Sequence, residues 1–195
     1  DGFGWRSVLI FASCAGALIG LLSYFILYET RPASDPTHRQ RSLTAGYLEL
    51  FRDARFTALV LQSGLCSGAF FTMATGSSLL MKDYLNRPAS EYGLYFMLFP
   101  VGYWLGNLTS SRLSGRVAIE TMVLAGSTLL IVTAIGMAAI VLAGSVIPLT
   151  IFIPGFLVTF AQGVALPNTQ AGAIRLAGPL AGTASGIGVF FQLFG

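Results

Sequence analysis

Residues 121–174 read TMVLAGSTLLIVTAIGMAAIVLAGSVIPLTIFIPGFLVTFAQGVALPNTQAGAI, a run of 54 residues without one ionisable side chain. At about 1.5 Å of helical rise per residue the run is roughly 80 Å long, too long for one membrane crossing and enough for two. A water-soluble domain buries such a stretch only inside a core much larger than 195 residues supply. The expected solvent is therefore hydrocarbon, and the run divides best at Gly144-Ser145, into spans near Thr121–Ala143 and Val146–Asn168.

The rest of the chain has the same character. Charged residues make up 10%, against roughly 25% in ordinary soluble domains. Hydrophobic residues reach 54%, mean hydropathy is +0.74, and there are 23 glycines, which suit membrane bundles because small residues let backbones approach closely. The formal charge of +3 comes from arginines scattered between apolar runs, with no basic stripe or aromatic platform, so nucleic acid is not an expected partner. Cys14 and Cys66 lie far apart in apolar runs and read as two buried thiols. With a single histidine, His38, in a polar loop, no metal site or histidine-based triad is expected. Hydroxyl-rich stretches such as Gly182–Gly186 have no base nearby, so no catalytic residues, no cofactor and no enzyme activity are expected.

Charge punctuation divides the chain into six apolar spans, predicting an all-α membrane protein: a polytopic helical bundle with about six transmembrane helices. The spans are Ser7–Tyr28, Phe56–Met81, Tyr92–Ser111, Thr121–Ala143, Val146–Asn168 and Leu180–Gly195, the last still apolar where the chain stops. Between the first two, residues 31–55 are polar. Within them Leu43, Tyr47, Leu50 and Phe51 have helical spacing behind Ser42, predicting a short helix on the membrane surface. Lys82–Glu91 reads as a turn and Arg112–Glu120 as a tight basic loop. Alternate loops place Arg31, Arg39, Arg41, Arg52, Arg55, Arg112, Arg116 and Arg175 on one side and Arg6, Lys82 and Arg87 on the other. Eight against three predicts that the first group, and residues 31–55 with it, is cytoplasmic.

Small residues recur four apart (Gly16/Gly20, Gly64/Gly68, Gly102/Gly106, Gly178/Gly182/Gly186), which fits either close helix packing or surfaces that slide during a conformational change. Pro100, Pro148, Pro154 and Pro167 each remove a backbone donor and can bend a helix, Pro154-Gly155 in mid-membrane most of all.

Three segments resemble the major facilitator superfamily, and within it drug-resistance transporters of the bicyclomycin-resistance type. They are GWRSVLIFASCAGALIGLLSYFILYETRP at Gly4–Pro32, EYGLYFMLFPVGYWLGNLTSSRLSGR at Glu91–Arg116, and ALPNTQAGAIRLAGPLAGTASG at Ala165–Gly186. They are similar to the family's sixth helix, its eighth helix with the following loop, and the join of its tenth and eleventh helices. The resemblance implies that residues 1–30 are the last helix of an amino-terminal bundle. Residues 31–55 become the cytoplasmic central linker, and residues 56–195 an incomplete carboxy-terminal bundle of five helices. The expected partners are membrane lipid, a small-molecule substrate, protons as coupling ion, and the amino-terminal half of the same protein.

The loop after Gly106 is similar to the family's basic cytoplasmic loop, which holds one access state closed. Gly106, Arg112, Gly115 and Arg116 are the matching gating positions, and Ser111 stands where the family has an acidic residue. Both arginines fit equally a plain role as topology anchors. Candidate cavity residues are polar or aromatic positions within spans, which are costly beside lipid: Gln62, Phe70, Phe71, Tyr103, Gln162 and Asn168, with Trp104 and Gln192 as further members. No ionisable residue lies well inside a span, so a proton-coupling group is expected in the amino-terminal half. The resemblance implies a secondary active exporter of small lipophilic compounds or drugs in the inner membrane, using proton antiport and alternating access. A nutrient or metabolite transporter of the same superfamily, and a non-transporting polytopic scaffold, are the alternatives.

Overall fold

The computed structural model describes residues 5–26, 43–144 and 146–194. Most of the polar connection, with His38, the expected cap Ser42, Arg31, Arg39 and Arg41, lies outside them, as does Ser145. The described residues are almost wholly helical, in two compact units, Asp1–Arg41 and Ser42–Gly195. The first unit carries α1 (Trp5–Ile26), a 22-residue apolar helix long enough to cross a bilayer. Both cysteines are free; Cys66 is buried but Cys14 on α1 is exposed, so one of the two thiols departs from the expected burial.

The second unit begins with α2 (Leu43–Arg52) and α3 (Ala54–Leu79). Asp53 separates them: its carboxylate accepts from the Arg55 backbone N–H at 2.8 Å, satisfying one of the free donors at the start of α3. α2 packs across the ends of α3 and α8, burying Leu50 with Phe56, Val60, Ala177 and Ile187. α3 runs on through a π-helical turn, Leu80–Tyr84, three residues past the expected end at Met81. Asn86, at φ +50°, makes the reversal into α4 (Ala89–Phe96).

The expected third span, Tyr92–Ser111, is two helices, α4 and α5 (Leu98–Leu113), broken at Met97. Pro100 supplies the reason: it has no N–H for the carbonyl of Phe96 four residues back, and its ring crowds that carbonyl. The silent run folds into α6 (Ile119–Leu142) and α7 (Pro148–Ala177), parted within one residue or two of the expected division. Pro148 occupies the first turn of α7, where its missing donor costs nothing, and Thr150 Oγ1 accepts from the Ile147 N–H at 3.0 Å. α7 extends nine residues beyond the expected end at Asn168 because Thr169, Gly172, Ala173 and Ala177 keep a buried face. A short 3-10 turn, Gly178–Leu180, with Gly178 at φ +50°, leads into α8 (Ala181–Phe194).

α7 is the central helix, packed against α3, α5, α6 and α8. Glycine makes its crossing with α5 possible. A Cβ on Gly106 would stand 2.2 Å from the Phe160 carbonyl oxygen, and one on Gly163 would stand 2.3 Å from that of Tyr103. The obstructing atoms are backbone, so no rotamer change makes room. Of the two readings of the Gly102/Gly106 pair, close packing is the one realised here. α1, α3 with its π turn, α6, and the continuous stretch of α7 and α8 are long and apolar enough to cross a membrane. Within the second unit α5 packs along α7.

Candidate functional site

Two kinds of polar position emerge inside the bundle. The first ties helices together. Gln62 donates through Nε2 to Ser127 Oγ on α6 and to Cys66 Sγ, each at 3.1 Å, and its Oε1 accepts from Thr169 Oγ1 on α7 at 2.7 Å. Asn168 donates through Nδ2 to Ser110 Oγ on α5 and to the Val164 carbonyl, both at 2.7 Å, and approaches Met122 Sδ on α6 at 3.6 Å. With hydrocarbon outside, an amide left without partners is costly, and each side chain here bonds a neighbouring helix as well as its own. Gln62 and Asn168 therefore stand in helix seams, apart from the aromatic candidates.

The second kind borders a cavity of about 440 Å³ between α3, α5, α7 and α8, within the range of drug-sized pockets. Phe70 and Phe71 from α3, Tyr103 from α5 and Gln162 from α7 all line it, so four of the six expected cavity residues come together there. Gln162 is 4% exposed, and its Nε2 donates to the Cys66 carbonyl of α3, fixing the amide at the cavity wall. Gln192 on α8 lines it as well.

The cavity roof is an aromatic cluster that residue-by-residue reading did not single out. Phe99 contacts Phe70, Phe96 and Phe152 at ring-centroid distances of 6.4, 4.9 and 5.5 Å, and Tyr95 stacks on Phe152 at 5.3 Å. The available signal was the spacing Tyr92, Tyr95, Phe96, Phe99, which puts four rings on one helical face. Gly155 lets Phe99 lie against the α7 backbone, where a Cβ would meet Cε1 at 2.2 Å. Gly155 thus seats a ring next to the cavity. Larger spaces of about 600 and 800 Å³ lie on the other side of α7, between α3 and α6. They lack converging rings.

At the arginine-rich end, α5 closes through Ser114 N–H to Ser110 O at 2.9 Å, and Gly115 turns at φ +80° before α6. Arg112 and Arg116 are exposed and form no ion pair among the described residues, while Ser111 Oγ donates to the Leu108 carbonyl at 2.9 Å. Arg55, Glu120 and Arg175 gather at the same end, around the space between α3, α6 and α7.

A sequence model of the Major Facilitator Superfamily matches residues 1–195. The chain belongs to the Major Facilitator Superfamily. Membership makes it a polytopic membrane protein of a family of transporters, consistent with the all-α fold and the apolar helices described above. The bicyclomycin resistance protein homolog of Haemophilus influenzae is 23% identical over 121 residues, covering 62% of this chain. The match spans 30% of that relative, so this superfamily chain covers less than a third of its length. No solved structure matches the chain.

Proposed function

We propose that this superfamily member is part of a secondary active transporter that exports small lipophilic compounds by alternating access, driven by inward proton flow. The observation that carries the reading is the aromatic cavity, where Phe70, Phe71, Tyr103 and the anchored Gln162 converge from three helices. Aromatic walls with few fixed polar groups suit apolar, polarisable molecules better than sugars or organic acids, which require several amides or fixed charge. The relative named for bicyclomycin resistance supports drugs as the substrate class.

In this reading residues 1–30 are the last helix of an amino-terminal bundle, 31–55 the cytoplasmic linker, and 56–195 helices of the carboxy-terminal bundle in the inner membrane. Gln62 and Asn168 hold the bundle together, and the loop carrying Gly106, Arg112, Gly115 and Arg116 gates the cytoplasmic side. A side chain in the amino-terminal bundle carries the proton.

The test is accumulation of a panel of lipophilic drugs in cells expressing the intact transporter, with and without a proton uncoupler. Lower accumulation that the uncoupler reverses is expected. Unchanged accumulation across the panel removes the efflux reading.

A further inference from the structure

Two glutamines border the aromatic cavity, and their amides are placed differently. The Gln192 Nε2 is closed off from the cavity as well as unpartnered, so no bound molecule touches it. Gln162 is the opposite case. Its Nε2 donates to the Cys66 carbonyl, and that bond fixes which way the amide points, because an amide oxygen turned toward the carbonyl would be repelled. The Oε1 of Gln162 accepts no hydrogen bond among the described residues. It is nevertheless not a buried, unpartnered atom, Gln192 Nε2 being the only one of that kind among them, so a water molecule can reach it. The space that Gln162 borders is the aromatic cavity. Its wall therefore presents one hydrogen-bond acceptor of fixed sense.

The other polar side chains at the wall impose no such sense. Thr159 Oγ1 is spent on the Gly155 and Phe156 carbonyls, at 3.1 and 3.0 Å. The hydroxyls of Ser67 and Tyr103 can donate or accept, so they turn away neither kind of ligand. No residue lining the cavity carries a carboxylate, ammonium or guanidinium group.

We infer that the cavity selects flat aromatic molecules bearing an N–H or O–H donor, and that Gln162 Oε1 accepts from that donor. The rings of Phe70, Phe71 and Tyr103 offer surface to any planar apolar molecule. The amide oxygen supplies the discrimination. A ligand without a donor displaces water from it and leaves it unpaired, whereas a ligand with one restores the bond. Gln162 is thus a specificity-determining residue. This deepens the proposed function and rests on the cavity being the substrate site.

The test uses carbazole and fluorene, tricyclic aromatics of nearly equal shape in which an N–H replaces a methylene. Binding of each to the intact transporter in lipid nanodiscs is measured by equilibrium dialysis, as the excess over empty discs. Carbazole is expected to bind about 3- to 10-fold more tightly, the worth of one net hydrogen bond. Gln162→Met, of similar length without the amide oxygen, is expected to bring that ratio close to one. Equal affinities in the unaltered protein overturn the inference whether or not the variant folds, and so does a preference that survives in a monodisperse variant. A preference lost in Ser67→Ala or Tyr103→Phe places the bond on a hydroxyl and overturns the assignment to Gln162. Dibenzofuran, with a ring oxygen in place of the N–H, is expected to bind at least about threefold more weakly than carbazole, and equal binding overturns the selection for donors. If uncoupler-sensitive drug export is seen but carbazole and fluorene bind alike, the export reading stands and this inference alone falls. If neither binds above empty discs, the cavity assignment falls with it.

Discussion

Replacing Gly106 by alanine tests the central crossing of the bundle. The added Cβ would lie 2.2 Å from the Phe160 carbonyl oxygen and 3.0 Å from the Gly163 Cα, against 3.4 Å or more for ordinary contact. Both obstacles are backbone, so α5 and α7 must separate by about 1 Å, a forced repacking of the kind that costs ~1–3 kcal/mol. Separation also loosens the Gly102 contact with Phe156 and Thr159 one turn away. Alanine's better helix propensity returns up to ~1 kcal/mol, leaving a net loss of about 1–2 kcal/mol. The assay is unfolding by dodecyl sulfate titration in mixed micelles, followed by helical circular dichroism. Gly136→Ala on α6 is the control, since nothing lies within 4 Å of its added carbon, and it should gain up to ~1 kcal/mol from the same propensity difference. Adding Gly163→Ala to Gly106→Ala should cost less than the sum of the single losses, by about 1 kcal/mol, because one separation relieves both clashes. A Gly106→Ala protein as stable as the Gly136→Ala control would refute the close crossing.

Other outcomes follow from the same geometry. Thr169→Val removes the 2.7 Å bond to Gln62 Oε1 at nearly constant volume, and the unfolding midpoint should fall by about 0.5–1.5 kcal/mol. Phe71→Ala and Tyr103→Ala alter cavity walls that are 54% and 42% exposed. Each should cut drug export several-fold in cells while leaving the unfolding midpoint within ~1 kcal/mol of the original. Charge reversal at Arg112 and Arg116 should abolish export at unchanged abundance if the loop gates access; altered insertion or abundance with normal flux per molecule would mark the arginines as topology anchors.

Much of the architecture was legible because hydrocarbon is an unforgiving solvent. A 54-residue stretch without charge has few ways to exist except as paired helices, and Pro148 and Gly144 mark where the pair turns. The break at Met97 was latent in Pro100, through a donor the helix needs and proline lacks. The continuation of α7 past Asn168 was less visible, since it depends on a face buried against α3 and α8.

The candidate site divides along the same line. The sequence alone settled that Gln62, Gln162, Asn168 and Gln192 sit in apolar helices, where each amide must find a partner. It did not settle which partner, because helices apolar on every side carry no amphipathic stripe to show which face looks inward. Only tertiary packing turned Gln62 and Asn168 into seams between helices, anchored Gln162 on the Cys66 carbonyl, and buried the Gln192 Nε2 without a partner. The physical reason is reach. A carboxamide bonds within about 3 Å, and whether a backbone carbonyl, a hydroxyl or an empty space lies at that distance is fixed by how closely the glycine crossings let α7 approach its neighbours.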